Sequence, residues 1–149
     1  MTKSAITVAM AILYRENKFL MQLRDDVPGI AHPGLWGFFG GKIEPGETPF
    51  EGVQRELIEE IDYETSDLTL FYHSVEKTVI RNIFYGPLTV GLDQLNLMEG
   101  WDLGLITPEQ IQTGEAYSEV AGMSRRLGQY HQEILLNFLE FAQAHSMTI

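Results

Sequence analysis

Gly40-Gly41-Lys42-Ile43-Glu44-Pro45-Gly46-Glu47-Thr48 runs directly into Pro49-Phe50-Glu51-Gly52-Val53-Gln54-Arg55-Glu56-Leu57-Ile58-Glu59-Glu60-Ile61. The second half reads as a helix from Thr48 to Ile61. Thr48 is a good N-cap, Pro49 suits the first helical position, and Glu51 completes a capping box. Phe50, Val53, Leu57 and Ile61 recur at helical spacing and form one apolar stripe for a core. Glu56, Glu59 and Glu60, three and four positions apart, fall on roughly the opposite side. Like charges at that spacing cost a few tenths of a kcal/mol per pair, so a helix built only for stability would alternate signs there. Arg55 can neutralise part of the charge, with Glu51 and Glu59 each four residues away.

Two readings fit this acidic face. It is a solvated helix surface, as charge runs commonly are, or its carboxylates hold Mg²⁺ or Mn²⁺. Hard cations take oxygen ligands, and Mg²⁺ typically uses one or two carboxylates with waters and phosphate oxygens. The glycines ahead of the helix allow positive φ and close backbone approach. A phosphate-cradling P-loop does not fit, because Ile43 follows Lys42 where Ser or Thr is needed and Trp36 stands five before Gly41. A dinucleotide-binding glycine fingerprint fails for want of the strand–turn–helix spacing.

Outward from this stretch the chain reads as alternating strands and turns. Ala5 to Tyr14 is a β-rich apolar strand, Arg15 to Lys18 a turn, and Phe19 to Arg24 the hairpin partner. Asp25 to Gly34 is a Pro/Gly loop, Leu35 to Phe39 a short aromatic strand, and Gly40 to Thr48 a loop. Leu68 to Val75 and Lys77 to Val90 are further strands, with Gly86-Pro87 near a bend or edge. Trp101 to Ile106 is another, followed by a brief helix from Thr107-Pro108-Glu109. Met123 to Ala144 carries a long amphipathic pattern through Leu127, Tyr130, Ile134, Leu135, Phe138 and Phe141, which predicts a closing helix. Mixed strands with two main helices predict an α+β domain, a sheet layered between helices, spanning residues 1–149.

Composition limits the function classes. The 149 residues suit one domain, with 44% hydrophobic and 21% charged residues as in a soluble globular protein. The longest apolar run, Ala9 to Tyr14, is too short to span a bilayer, and no signal-peptide pattern opens the chain. A cytoplasmic location with no membrane partner is expected. There are no cysteines, which excludes disulfides, cysteine zinc sites and thiol nucleophiles. A net charge of −11 repels polyanions, so no nucleic-acid polymer is expected as partner. Edge strands leave a homodimer open.

The spacing from Gly41 through five residues to Glu47, then seven to Arg55-Glu56-Leu57-Ile58-Glu59-Glu60, resembles the Nudix box. Chance agreement at the six Gly or polar positions is on the order of 10⁻⁷ per starting point. The box covers Gly41 to Tyr63, and Leu35 to Gly40 resembles the strand that leads into it. The departure is at the end, where Asp62 and Tyr63 replace a Gly and an aliphatic residue. That Gly would close the helix in a left-handed conformation, which Asp tolerates at a cost of ~1 kcal/mol.

The resemblance implies a Nudix α/β/α sandwich with a mixed sheet. It implies Mg²⁺ (or Mn²⁺) held by Glu56, Glu59, Glu60 and the Gly40 carbonyl, and cleavage of a diphosphate linkage in a small-molecule nucleotide substrate. Glu59 is a ligand or the base that activates water, Arg55 orients a carboxylate, and Glu47 ties loop to helix. Ordinary salt bridging is the plainer alternative for Arg55 and Glu47. Glu99 is a second candidate ligand or base, or else a surface turn residue. Arg24 is placed to pair with a phosphate, or simply ends a hairpin at the surface. Trp36 and Phe38 are candidates to stack a nucleobase, or core aromatics. ADP-ribose-like compounds, sugar nucleotides and (oxidised) nucleoside triphosphates are the candidate substrates. A noncatalytic nucleotide-binding module of the same family is the alternative. Isopentenyl diphosphate isomerisation, on a similar fold, is disfavoured because it relies on a catalytic cysteine.

Overall fold

The structure is a computed structural model that describes residues 5–149. The chain divides into two compact units, Met1–Leu13 with Phe39–Met98 and Tyr14–Phe38 with Glu99–Ile149. Each combines antiparallel strands with at least one α-helix, the α+β class expected.

In the first unit, β1 (Ile6–Arg15, its residues up to Leu13 lying here) pairs antiparallel with β4 (Phe39–Lys42) through Val8↔Lys42, Ala9↔Gly41, Met10↔Gly40 and Ala11↔Phe39. Helix α1 (Pro49–Ile61) follows, then β5 (Thr69–Val75) paired antiparallel with β6 (Val79–Pro87). β6 lies beside β1. Ile6 N–H donates to Thr78 O and Asn82 Nδ2 to Val8 O, so position advances in the same sense along both strands and the sheet is mixed. Val53, Leu57 and Ile61 of α1 are fully buried. Each such side chain contributes about 1.5–3 kcal/mol, well above the repulsion along the acidic run, so the helix forms in spite of it.

In the second unit, Tyr14 and Arg15 pair with β2 (Lys18–Leu23) across a tight turn at Glu16 and Asn17, both with positive φ. β3 (Trp36–Gly37) continues along β2, and β7 (Asp102–Ile106) pairs with β2 over Phe19↔Ile106 to Leu23↔Asp102. Helix α2 (Pro108–Thr113) starts on a second capping box, Thr107 with Gln110. A hairpin of β8 (Glu115–Ser118) and β9 (Met123–Arg126) leads to α3 (Gln129–Ala144). Ile134, Leu135 and Phe138 of α3 are buried, Phe138 meeting Phe19 edge-on. Among the described residues no helix is long and apolar enough to cross a membrane.

Three sequence expectations change. The aromatic strand over residues 35–39 is two strands interrupted at Phe38, because Trp36–Gly37 pair with β2 whereas Phe39 onward pairs with β1. Gly40–Lys42, expected in a loop, are strand, since β1 supplies ladder partners for their backbone. The closing helix begins at Gln129 rather than Met123. Residues 123–126 find antiparallel partners in β8, Ala116↔Arg125 and Tyr117↔Ser124 among them, and Gly128 is the helix N-cap.

Candidate active site

The loop ahead of α1 is fixed at both ends. Ile43 N–H donates to Thr7 O, and Thr48 caps the helix with both halves of the capping box in place. Glu51 thereby serves its own helix terminus; its carboxylate accepts from Thr48 N–H, which holds its pKa below the ordinary value. Gly40 has φ +143, and a Cβ there would lie 2.2 Å from Ala9 O. A Cβ on Gly41 would lie 2.8 Å from the Glu56 carboxyl carbon. Side chains are excluded at both positions, so the strand backbone and the Glu56 carboxylate share one small space.

Arg55 organises the carboxylates. Its Nε and Nη2 grip Glu47 at 2.8 and 3.0 Å, Nη1 donates to Glu56 at 3.0 Å and Glu59 at 3.1 Å, and Nη2 also reaches Lys42 O at 3.1 Å. Those five bonds use the full donor inventory of a guanidinium. Hydrogen bonding to Glu47 is the largest reason the Arg55 pKa is raised above its already high ordinary value. The same bonds, with one from Glu44 N–H, hold the Glu47 carboxyl below its ordinary value. The expected tie of Glu47 between loop and helix is present. The Glu51–Arg55 pairing is not, because Glu51 is engaged at the N-cap.

The three helix carboxylates do not share one solvated face. Glu60 is only 3% exposed, and its Oε1 accepts from Gly40 N–H at 2.8 Å. The Glu56 side chain is 15% exposed and that of Glu59 56%. Burying a carboxylate costs free energy that an apolar residue there would avoid, and the charge-assisted bond from Gly40 offsets part of it. Such a group is a candidate for chemistry rather than for stability. Among the described residues no three or more His, Asp or Glu converge ready-made on a metal position; Arg55 stands between Glu56 and Glu59 instead. The donors nevertheless fit a hard divalent cation, being all oxygen and partly withdrawn from water. An open cleft of about 930 Å³ is lined in part by Thr7, Lys42, Arg55, Glu56 and Glu59. The helix leaves this region through Asp62 at φ 54, ψ 41, the left-handed conformation expected of the missing Gly, with its N–H donating to Ile58 O.

The other candidates lie in the second unit. Arg24 and Glu99 line one small cavity of about 60 Å³ with Gln22, Asp25, Ile30 and Gly100. Arg24 Nε donates to Ala31 O at 2.6 Å, so part of the guanidinium is tied to its own loop. Trp36 and Phe38 are 1% and 5% exposed. Trp36 Nε1 donates to Ala116 O, and the Phe38 ring leans on His131 at 4.8 Å. As placed, both are core side chains; stacking a base would require uncovering them. Sequence reading missed Gln22, Glu44 and Lys42. The signal for Gln22 was present, a lone amide in the apolar run Phe19–Leu23. Lys42 takes part through its backbone carbonyl, which no side-chain pattern reveals.

A NUDIX domain profile matches residues 3–100. The CTP pyrophosphohydrolase of Escherichia coli (strain K12) is 41% identical over 61 residues, covering 41% of this chain and 44% of that protein. This chain thus matches less than half the length of that relative. A MutT-like protein of Streptomyces ambofaciens is 27% identical over 143 residues, 95% of this chain and 80% of its own. The crystal structure of the MutT protein from Methanosarcina mazei Go1 superposes with a TM-score of 0.69 at 24% identity, covering 94% of this chain and 96% of that one. A profile match over more than half the sequence makes this chain a member of the Nudix domain family.

Proposed function

We propose that the chain is a Mg²⁺- or Mn²⁺-dependent pyrophosphohydrolase that cleaves a diphosphate linkage in a small nucleotide. The observation that carries this reading is a cleft lined by Arg55, Glu56 and Glu59, on the same helix that holds the buried Glu60. Glu56, Glu59, Glu60 and the Gly40 carbonyl would hold the cation. Bound there, a divalent ion would neutralise diphosphate oxygens and lower the pKa of water. Arg55 holds Glu56 and Glu59 within one guanidinium's reach. Glu59, the most exposed of the three, or Glu99 on its distant turn, takes the proton from the attacking water. Arg24 is the phosphate-pairing candidate, through the guanidinium nitrogens not bound to Ala31.

The relative named for CTP supports a nucleoside triphosphate as substrate, with ADP-ribose-like compounds and sugar nucleotides as the other classes to test. The experiment is a nucleotide panel incubated with Mg²⁺ and Mn²⁺, its products identified by mass spectrometry. Wild type should release a nucleoside monophosphate, and Glu60→Gln should abolish that release while remaining folded. Wild-type turnover by Glu60→Gln would refute the assignment. A chain that binds nucleotide yet cuts no member of the panel is a noncatalytic module.

A further inference from the structure

Gln22 sits at the end of β2 among Leu20, Met21 and Leu23 and is itself only 2% exposed. A buried amide in an apolar strand needs a structural or functional reason. Its Nε2 donates to the backbone carbonyl of Glu99, 77 residues away, at 2.7 Å. The next residue, Gly100, has φ +108, and a Cβ there would lie 2.7 Å from the same Nε2. One residue further, Trp101 N–H donates to Leu23 O at 2.9 Å. Two successive β2 residues therefore grip the chain on either side of Gly100. The cavity of about 60 Å³ that Gln22 shares with Arg24, Asp25 and Glu99 has room for a water or two and none for a nucleotide. At 2% exposure Gln22 presents almost no surface of its own to a substrate.

We infer that Gln22 is a positioning residue, one that fixes the Glu99–Gly100 turn and so sets where the Glu99 carboxylate stands. The inference rests on the reading of Glu99 as a proton acceptor. The amide acts on Glu99 through its backbone carbonyl, not its carboxylate. Glycine at 100 lets the amide approach this closely, and the bond holds the left-handed turn in one conformation. A Gln with only a packing role would influence stability and nothing that depends on Glu99.

A double-mutant cycle separates the two roles. Gln22→Met keeps the volume and removes the donor; Gln22→Asn keeps the amide and removes the reach. Full-length wild type, Gln22→Met, Gln22→Asn, Glu99→Gln and Gln22→Met/Glu99→Gln are compared with Mg²⁺ and the fastest-cut nucleotide of the panel. Amide hydrogen exchange at Trp101 is followed alongside. Each Gln22 variant should lower kcat about tenfold, the scale of a small displacement of a catalytic group, with KM within about twofold and the acid limb of the kcat–pH profile moved. Exchange at Trp101, whose N–H is bonded to Leu23 O, should accelerate by a similar factor. The double variant should be no slower than Glu99→Gln. Losses that multiply in the double variant, or an unchanged pH profile and unchanged exchange in Gln22→Met, overturn the inference. Wild-type kcat in Glu99→Gln sinks the proton-acceptor reading and with it the catalytic half of this one, while exchange at Trp101 still decides whether Gln22 holds the turn.

Discussion

Helices α1 and α3 begin in opposite ways. At α1, Thr48 accepts from Glu51 N–H and Glu51 accepts from Thr48 N–H, so four consecutive residues contain the whole device. At α3, the N-cap is Gly128 and no side chain caps the terminus. Its start is held from elsewhere in the second unit. Leu127 N–H donates to Gly114 O, Gly128 N–H to Trp36 O, and His131 Nδ1 accepts from Phe38 N–H. A helix that carries its own cap can be bounded from sequence; a helix whose first turn is tied to distant backbone cannot.

The largest effect expected at either helix comes from Arg55→Ala. It strips partners from Glu47, Glu56 and Glu59 at once. Stability should fall by about 2 kcal/mol and activity by more than about a hundredfold, read by chemical denaturation and steady-state kinetics. Arg55→Lys should rescue little of either, since an ammonium cannot reproduce five bonds in a fixed fork. The counterpart at α3 is His131→Phe, which leaves the Phe38 N–H without its acceptor. A loss of about 1–2 kcal/mol in urea unfolding is expected; a loss below about 0.3 kcal/mol would remove the distant tie as the reason α3 starts where it does.

Thr48→Ala removes half the capping box and should cost about 1 kcal/mol, with Thr48→Gly costing only a few tenths. At the other end of α1, Asp62→Gly should stabilise by about 0.5 kcal/mol. It relieves a left-handed non-glycine residue but gives up the exposed bond from Asn96 Nδ2. Thermal melts rank these two against one another. The smallest effect is pH-dependent. Arg55 first, then Glu44 N–H, depress the Glu47 pKa below its ordinary 4.5. A carboxyl lowered on folding contributes fully above the unfolded value and loses its contribution as pH falls through the folded one. Tm should therefore decline below about pH 4.5 more steeply in wild type than in Glu47→Gln, and equal slopes would remove the Arg55–Glu47 bond as a source of acid sensitivity.

The same division between local and distant causes explains which parts of the site were legible. The spacing from Gly41 through Glu47 to Arg55-Glu56 and Glu59-Glu60 picked out the polar cluster, because helix period and loop length place those residues together in any fold containing α1. The burial of Glu60 was half legible: seven residues after Val53, it stands about 20° from that stripe residue on a helical wheel, whereas the bond from Gly40 N–H comes from the fold. Trp36 and Phe38 were ambiguous for a related reason, since an aromatic on a short strand is covered or open according to what packs on it.

By itself the sequence determined the α+β class, the β1–β2 hairpin, α1 with its cap and its left-handed exit at Asp62, and the family to which the box belongs. Each depends on interactions within about a dozen residues. Tertiary structure decided the split of residues 36–42 between two strand partners, the hairpin of β8 and β9 where a helix was expected, the depth of Glu60, and the grip of Gln22 on Glu99. These depend on which backbone or side chain arrives from far along the chain, and a one-dimensional pattern of polarity does not encode that arrival.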